Sequence, residues 1–199
     1  FSPNMKKNTE YVKVSSYEGR KGEVNKVVLL YSGGLDTSVM LKWIQEEYKA
    51  EVIALTIDIG QIADDLEAIK KKAIKLGAVK SFVIDAKDEF AKGYVIPCIK
   101  SNGLYQGKYP LATALARPLI AAKCVEVANR EDATSIAHGC TGKGNDQIRF
   151  DVTIHGLNQG LKIIAPIRDM NLTRNVEMNF AKEQHIPLDV DSKKYSIDL

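Results

Sequence analysis

The chain has 199 residues, 45% apolar and 27% charged, with a net charge of +3, which is one ordinary globular domain, or a domain with appendages, able to bury a sizeable core. No apolar run approaches the ~18 residues that span a bilayer and no secretory pattern opens the chain. Cys98, Cys124 and Cys140 are odd in number and lack metal-site spacing, which suits a reducing compartment, so a cytoplasmic protein with no membrane partner is expected.

Residues 1–25 are polar and aperiodic and read as a flexible arm, with Phe1–Asn4 as an expression scar ahead of a native Met5. Residues 1–26 carry six Lys or Arg against three Glu, which is the whole excess of charge, so the body is neutral and offers no broad nucleic-acid surface. Val27–Leu30 is a short β-rich run that enters Tyr31-Ser32-Gly33-Gly34 and turns helical at once, with Val39, Leu41, Trp43 and Ile44 as the apolar stripe. Val52–Ile57 reads as a second buried strand ending in Asp58-Ile59-Gly60-Gln61. A charged helix over 63–76 stops at Gly77. Ser81–Ile84 is a third strand, 86–100 carries helical periodicity interrupted near Pro97, and 101–110 is a loop rich in Gly and Tyr. Leu111–Asn129 is helical, with Pro118 expected at a bend or a start. Thr134–Ala137 is a fourth strand that runs into His138–Asp146, Leu161–Ala165 is a fifth, and 172–184 is a last helix.

Strands that alternate with helices pair in parallel through right-handed crossovers. The expected class is α/β: an open, doubly wound, mostly parallel five-stranded sheet with helices on both faces, over a domain at 26–190. Polar loops containing glycine follow the first, second and fourth strands at their carboxyl ends, where such sheets bind ligands.

The first loop favours phosphate. Paired glycines bring backbone N–H groups close to a ligand, and the next helix points its positive end at the same spot. The loop lacks the Lys-Ser/Thr ending of a Walker A motif and the G-x-G-x-x-G of dinucleotide binders. Ser32-Gly33-Gly34-Leu35-Asp36-Thr37-Ser38 directly after a strand resembles the pyrophosphate loop of the N-type ATP pyrophosphatases, which split ATP between the α- and β-phosphates. In that setting Ser32, Thr37 and Ser38 offer hydroxyls, and Gly33 and Gly34 offer backbone N–H groups. Asp36 either partners Mg²⁺ beside the phosphates or caps the helix.

A second motif narrows the family. His138-Gly139-Cys140-Thr141-Gly142-Lys143-Gly144-Asn145-Asp146-Gln147-Ile148-Arg149-Phe150 is similar to the signature of argininosuccinate synthases. Tyr105-x-x-x-Tyr109-Pro110-Leu111, Ala116-Arg117-Pro118 and Tyr195-Ser196-Ile197-Asp198 match that family in the same order, so the resemblance runs from about Lys26 to Leu199. It implies an enzyme that joins citrulline and aspartate at the expense of ATP, through a citrullyl-adenylate, with ATP and Mg²⁺ as cofactors and a homotetramer as the full-length form. It also implies that ATP is surrounded by Leu30, Tyr31, Ser32, Gly33, Gly34, Leu35, Asp36, Thr37 and Ser38, by the backbone of Ile57, and by Ala137, His138, Gly139, Cys140, Thr141, Gly142, Lys143, Gly144 and Asn145. Thr141, Asn145 and Asp146 match aspartate-binding positions; Tyr109, Asn145, Arg149 and Ser196 match citrulline contacts. Asp36, Lys143 and Asp146 are then the residues closest to the chemistry.

Each has a plainer reading. Arg149 pairs with Asp151 at the surface, Tyr109 is a core aromatic, Lys143 is an exposed loop charge, and His138 is a loop anchor rather than a base. The family's Gly-Thr-Ser is here Ala112-Thr113-Ala114, so Thr113 stands in for an absent serine hydroxyl, and Cys140 replaces an alanine. The family continues beyond Leu199 into a second half, so 191–199 read as the start of a link to it. Rival readings are a thiolating or amide-forming adenylase with the same loop, or a non-catalytic nucleotide-binding module; thiolation calls for a catalytic cysteine pair and a basic RNA face, and neither is evident.

Overall fold

The structure is a computed structural model that describes residues 18–61, 65–169 and 174–186. The elements run β1 (Lys26–Leu30), α1 (Leu35–Tyr48), β2 (Glu51–Asp58), α2 (Leu66–Lys75), β3 (Lys80–Asp85), α3 (Lys87–Phe90), a π-helical turn (Ala91–Val95) and α4 (Ile96–Lys100). They continue with β4 (Leu104–Tyr105), β5 (Tyr109–Pro110), α5 (Ala112–Arg130), β6 (Ser135–Ala137), α6 (Asp146–Leu157), β7 (Lys162–Ile164), α7 (Pro166–Asp169) and α8 (Arg174–Glu183).

The main sheet has five strands in the order β3-β2-β1-β6-β7, and every neighbouring pair is parallel. The centre of β1 is Val27-Val28-Leu29, all fully buried. A strand covered on both faces needs such an unbroken apolar run. Period-two alternation then sorts its side chains. Val27, Leu29, Val52 and Ala54 pack on one face with Val39, Leu41 and Ile44 of α1 and with Phe180 and Ala181 of α8. Val28, Ile53, Leu55 and Ile57 pack on the other with Leu119, Ile120 and Cys124 of α5 and with Phe150 and Ile154 of α6. Helices therefore cover both faces, and the sheet is doubly wound as expected. Among the described residues its pairings are all parallel.

The ends of α2 follow from two residues. Asp65 caps its start, its side chain accepting the Glu67 and Ala68 N–H groups at 2.9 and 3.3 Å. Gly77, at φ +101, ends it: the Gly77 N–H donates to Ile74 O and the Ala78 N–H to Ala73 O. That is a Schellman closure, which needs a left-handed residue where glycine is unstrained.

Four details refine the sequence reading. Part of the expected arm is packed: the Gly19 N–H donates to Ile163 O at 3.1 Å, and Val24 is 1% exposed. Residues 1–17 of that arm, and 187–199 with the expected link, lie outside the described residues. The loop at 101–110 folds back as the β4–β5 hairpin, pairing Leu104 with Pro110 and Tyr105 with Tyr109. Pro118 lies inside α5, which rules out the helix start and leaves the bend as the reading of that proline. The fourth is α6, which places a full helix between the second motif and the fifth strand. Among the described residues no helix is long and apolar enough to cross a membrane.

Leu55 on β2 is completely buried, and Leu55→Ala is expected to lower the unfolding free energy by ~2–5 kcal/mol in urea melts. Ile99→Ala on α4, where the side chain is 71% exposed, should change it by less than ~0.5 kcal/mol.

Candidate functional site

The strand order reverses between β1 and β6, whose register pairs Leu29 with Ala137. The polypeptide leaves both strands on the same edge, so residues 31–34 and 138–145 emerge side by side. Open parallel sheets form their ligand crevice at such a reversal because the two chains depart toward opposite faces. The second segment also passes close over the start of α1. A Cβ placed on Gly139 would lie 3.3 Å from Met40 Sδ and 4.0 Å from Thr37 Cγ2, so a glycine there lets the second loop lie against the first turns of α1.

The first loop is tied from several sides. The Tyr31 N–H donates to Leu55 O at 2.9 Å, and the Thr56 hydroxyl donates to Tyr31 O at 2.7 Å. The Tyr31 hydroxyl and Ser38 Oγ are 3.1 Å apart, and Ser38 donates to Gly34 O at 2.7 Å. Ser38 is fully buried and so holds the loop from beneath. Ser32 and Thr37, 3.2 Å apart, are the half-buried hydroxyls. Gly34 occupies the N-cap position of α1 and no side chain caps it. Asp36 is in the first turn, where a carboxylate complements the positive end of the helix without being its cap.

Two ion networks lie under the second loop. Arg117 of α5, 2% exposed, donates through Nε to Asp146 Oδ2 at 2.9 Å, and Arg149 donates to Asp146 Oδ1 at 2.6 Å. The Arg117 guanidinium also sits 5.9 Å from the centre of the Phe150 ring. A buried arginine is tolerated because the carboxylate and the ring replace its lost hydration. Further along α6, Asp151 meets His138 Nε2 at 3.0 Å and Arg168 at 2.6 Å. The Cys140 N–H donates to His138 Nδ1 at 3.4 Å, which leaves the ring proton on Nε2, facing Asp151. The ring stacks on Phe150 at 5.4 Å and is 1% exposed. His138 is thus a loop anchor, shut off from solvent. Burial pushes the Asp151 carboxyl up, but the His138 hydrogen bond and the Arg168 charge outweigh it and hold the group below its ordinary range.

Among the expected site residues, Leu30 ends β1, Ala137 ends β6, and Tyr31 to Ser38 and His138 to Asn145 form the two segments that follow those strands. Leu35 packs into the core. Thr141, Gly142, Lys143, Gly144 and Asn145 are exposed. Ile57 is buried near the end of β2, and its carbonyl accepts Gln61 Nε2 at 2.9 Å; the Gly60 N–H and Lys87 hold the Asp58 carboxylate beside it. Thr113 is exposed in the first turn of α5. Tyr109, 67% exposed on the hairpin, is not a core aromatic. Arg149 pairs with Asp146 rather than with Asp151. Ser196 lies outside the described residues.

Arg117, Asp151 and Arg168 join the site only in the folded structure. The spacing of Asp146 with Arg149, and of Phe150 with Ile154, already carries helical periodicity. No local pattern joins Arg117 or Arg168 to that helix.

This geometry agrees with the comparisons to known proteins. The family described as "Arginosuccinate synthase N-terminal HUP domain" matches residues 26–187. The chain belongs to that family. It is 58% identical over 173 residues to the argininosuccinate synthase of Pyrococcus furiosus, covering 87% of this chain and 42% of that protein. It is 55% identical over 171 residues to that of Methanocaldococcus jannaschii, covering 86% and 43%. The Brevibacillus brevis enzyme is 52% identical over 175 residues, covering 87% and 42%. The chain thus spans less than half the length of these curated relatives. Among solved structures, the U34-tRNA thiolase NcsA of Methanococcus maripaludis superposes with a TM-score of 0.56 at 18% identity, covering 87% of this chain and 61% of that one. A likeness at that identity establishes the shared fold alone.

Cys124 and Cys140 of this synthase-family domain are poor nucleophiles. Burial pushes the Cys124 thiol far up and the Cys140 thiol up to about 12. Asp151 also sets a pH signature. Its depressed carboxyl contributes stability above its unfolded value near ~4, and that stability is lost as pH falls through the folded value. Asp151→Asn is therefore expected to be less stable than the parent at neutral pH. The gap between their thermal melts should close progressively below about pH 4.

Proposed function

We propose that the full protein ligates citrulline and aspartate to argininosuccinate, with ATP converted to AMP and pyrophosphate. The observation that supports this best is that the Ser32–Ser38 segment and the His138–Asn145 segment follow neighbouring strands, β1 and β6, at the reversal of the sheet. One segment offers hydroxyl and N–H donors at a helix N-terminus. The other carries the family's substrate-binding pattern, backed by two arginines on Asp146.

The citrulline ureido oxygen attacks the α-phosphorus of ATP, and the bond from that phosphorus to the bridging oxygen breaks, releasing pyrophosphate. The amine of aspartate then attacks the ureido carbon, loses a proton, and displaces AMP. Ser32, Thr37 and the Gly33 and Gly34 N–H groups cradle the departing pyrophosphate, whose charge the N-terminus of α1 complements. Lys143, exposed in the second loop, adds a positive charge toward the phosphates. Thr141, Asn145 and Asp146 receive aspartate, and Tyr109, Thr113, Arg149 and Ser196 receive citrulline, with Asn145 shared between them. Aspartate brings its own nucleophilic amine, so the site must orient rather than activate it.

Among the described residues no cluster of three or more His, Cys, Asp or Glu is arranged to hold a metal. Mg²⁺ beside a nucleotide needs only one carboxylate and phosphate oxygens, and Asp36, in the first turn of α1, would be that carboxylate. When bound there, Mg²⁺ supplies charge neutralisation at the phosphate oxygens. A cytoplasmic homotetramer, completed by a second half that 191–199 lead into, is part of the same reading.

With the intact protein and ATP, pyrophosphate release is expected to require citrulline and aspartate together. Release with neither, or with a tRNA substrate instead, would overturn the assignment. Asp36→Asn is expected to weaken ATP binding about tenfold or more in Mg²⁺, the scale of one charged contact, and to leave it unchanged in EDTA. Equal losses in both would give Asp36 a role in the helix alone.

A further inference from the structure

The pyrophosphate loop has no Walker-type lysine in its own sequence, yet a lysine from elsewhere in the chain reaches it. Lys72, half-buried on α2, donates through Nζ to Gly33 O at 2.8 Å. One turn earlier on the same face of α2, Ile69 presses on the same residue: a Cβ on Gly33 would lie 3.0 Å from Ile69 Cγ1. Gly33 itself has φ +81, a backbone state in which its peptide can be turned either way at little steric cost. A contact from outside the loop can therefore choose the orientation.

A trans peptide carries its C=O and the following N–H in opposite directions. Holding the Gly33 carbonyl toward α2 turns the Gly34 N–H away from α2, and it faces Ser32 Oγ at 3.4 Å. At that length the amide is only weakly engaged. It shares its side of the loop with the Ser32–Thr37 hydroxyl pair, where an anionic oxygen would gain a backbone donor.

We propose that Lys72 is a positioning residue of the pyrophosphate site: by fixing the Gly33 carbonyl it aims the Gly34 N–H at the leaving pyrophosphate. This rests on the nucleotide reading above and deepens it. Lys72 acts through the peptide, with Ile69 as the wall against which Gly33 is held, so α2 supplies from a distance the orientation that a longer glycine-rich loop builds within itself.

The test uses the full-length protein, with inorganic pyrophosphate and AMP as separate calorimetric probes and the ¹⁵N–¹H shift of Gly34 as a direct reporter. Lys72→Met is expected to weaken pyrophosphate binding about tenfold or more, the scale of a charge-assisted hydrogen bond, and to leave AMP affinity within about twofold. The Gly34 amide shift should move in the ligand-free variant, and Lys72→Arg should recover most of the lost affinity because it restores a charged donor. Lys72→Gln, helix-compatible but too short to reach Gly33, repeats the measurement should the methionine variant be unstable. Unchanged pyrophosphate affinity overturns the proposal, as does an equal loss for AMP, which would mark a general structural role. Lost affinity with an unmoved Gly34 amide also overturns it, because Lys72 would then be touching phosphate directly. A parent protein that binds neither ATP nor pyrophosphate overturns the nucleotide reading itself, and the proposal with it.

Discussion

The pairing of β1 with β6 is the constraint on which the site depends. Strand order runs outward in one direction from β1 through β2 to β3, and in the other through β6 to β7. A parallel sheet can grow both ways from one strand only if the connection between the halves crosses to the opposite face, and α5 makes that crossing. Its register then leaves no freedom: once Leu29 faces Ala137, the segments beginning at Tyr31 and His138 must start from the same edge. The glycine at 139 lets the second lie close over the first turns of α1. Every later feature of the site is hung on that edge.

Around it, charge is used to hold backbone. Asp146 takes two arginines, Asp151 takes an arginine and a histidine, and Asp58 takes Lys87 at 2.7 Å. Pairs with one fully buried member contribute little net stability, since desolvation consumes most of the attraction. Their value is geometric. Removing the Asp146 carboxylate strands the Arg117 guanidinium in a place water does not reach, so the loop above has few alternative arrangements of comparable energy. A site proposed to bind a polyanion and two amino acids would benefit from such rigidity, because donors already in place need no reorganisation when charge develops.

The paired Asp146 also alters how the second motif is read. A carboxylate held on both oxygens by arginines is a fixed negative point, already oriented, and suited to meeting an ammonium group rather than to moving protons. His138 is closed in the same way by Asp151, Phe150 and the Cys140 amide. The chemistry proposed for this edge needs neither an acid nor a base from the chain, and the two groups that might have served are committed to architecture.

Much of this was determined by the sequence alone. Apolar runs bounded by glycine and polar turns located all five strands of the main sheet, because a strand buried on both faces has few compositions open to it. The Ser32–Ser38 and His138–Phe150 motifs are contiguous, and contiguous chemistry is visible in one dimension. Gly77 announced the end of α2 for the same local reason. The tertiary structure alone decided what lies far apart in the chain: that Arg117 and Arg149 share Asp146, that Arg168 and His138 share Asp151, and that Lys72 reaches Gly33. These contacts depend on which helix faces join across the sheet, and long side chains such as Arg and Lys carry no pattern that names a distant partner. Local propensity writes the elements and the loops. Packing writes the pairings that hold them still.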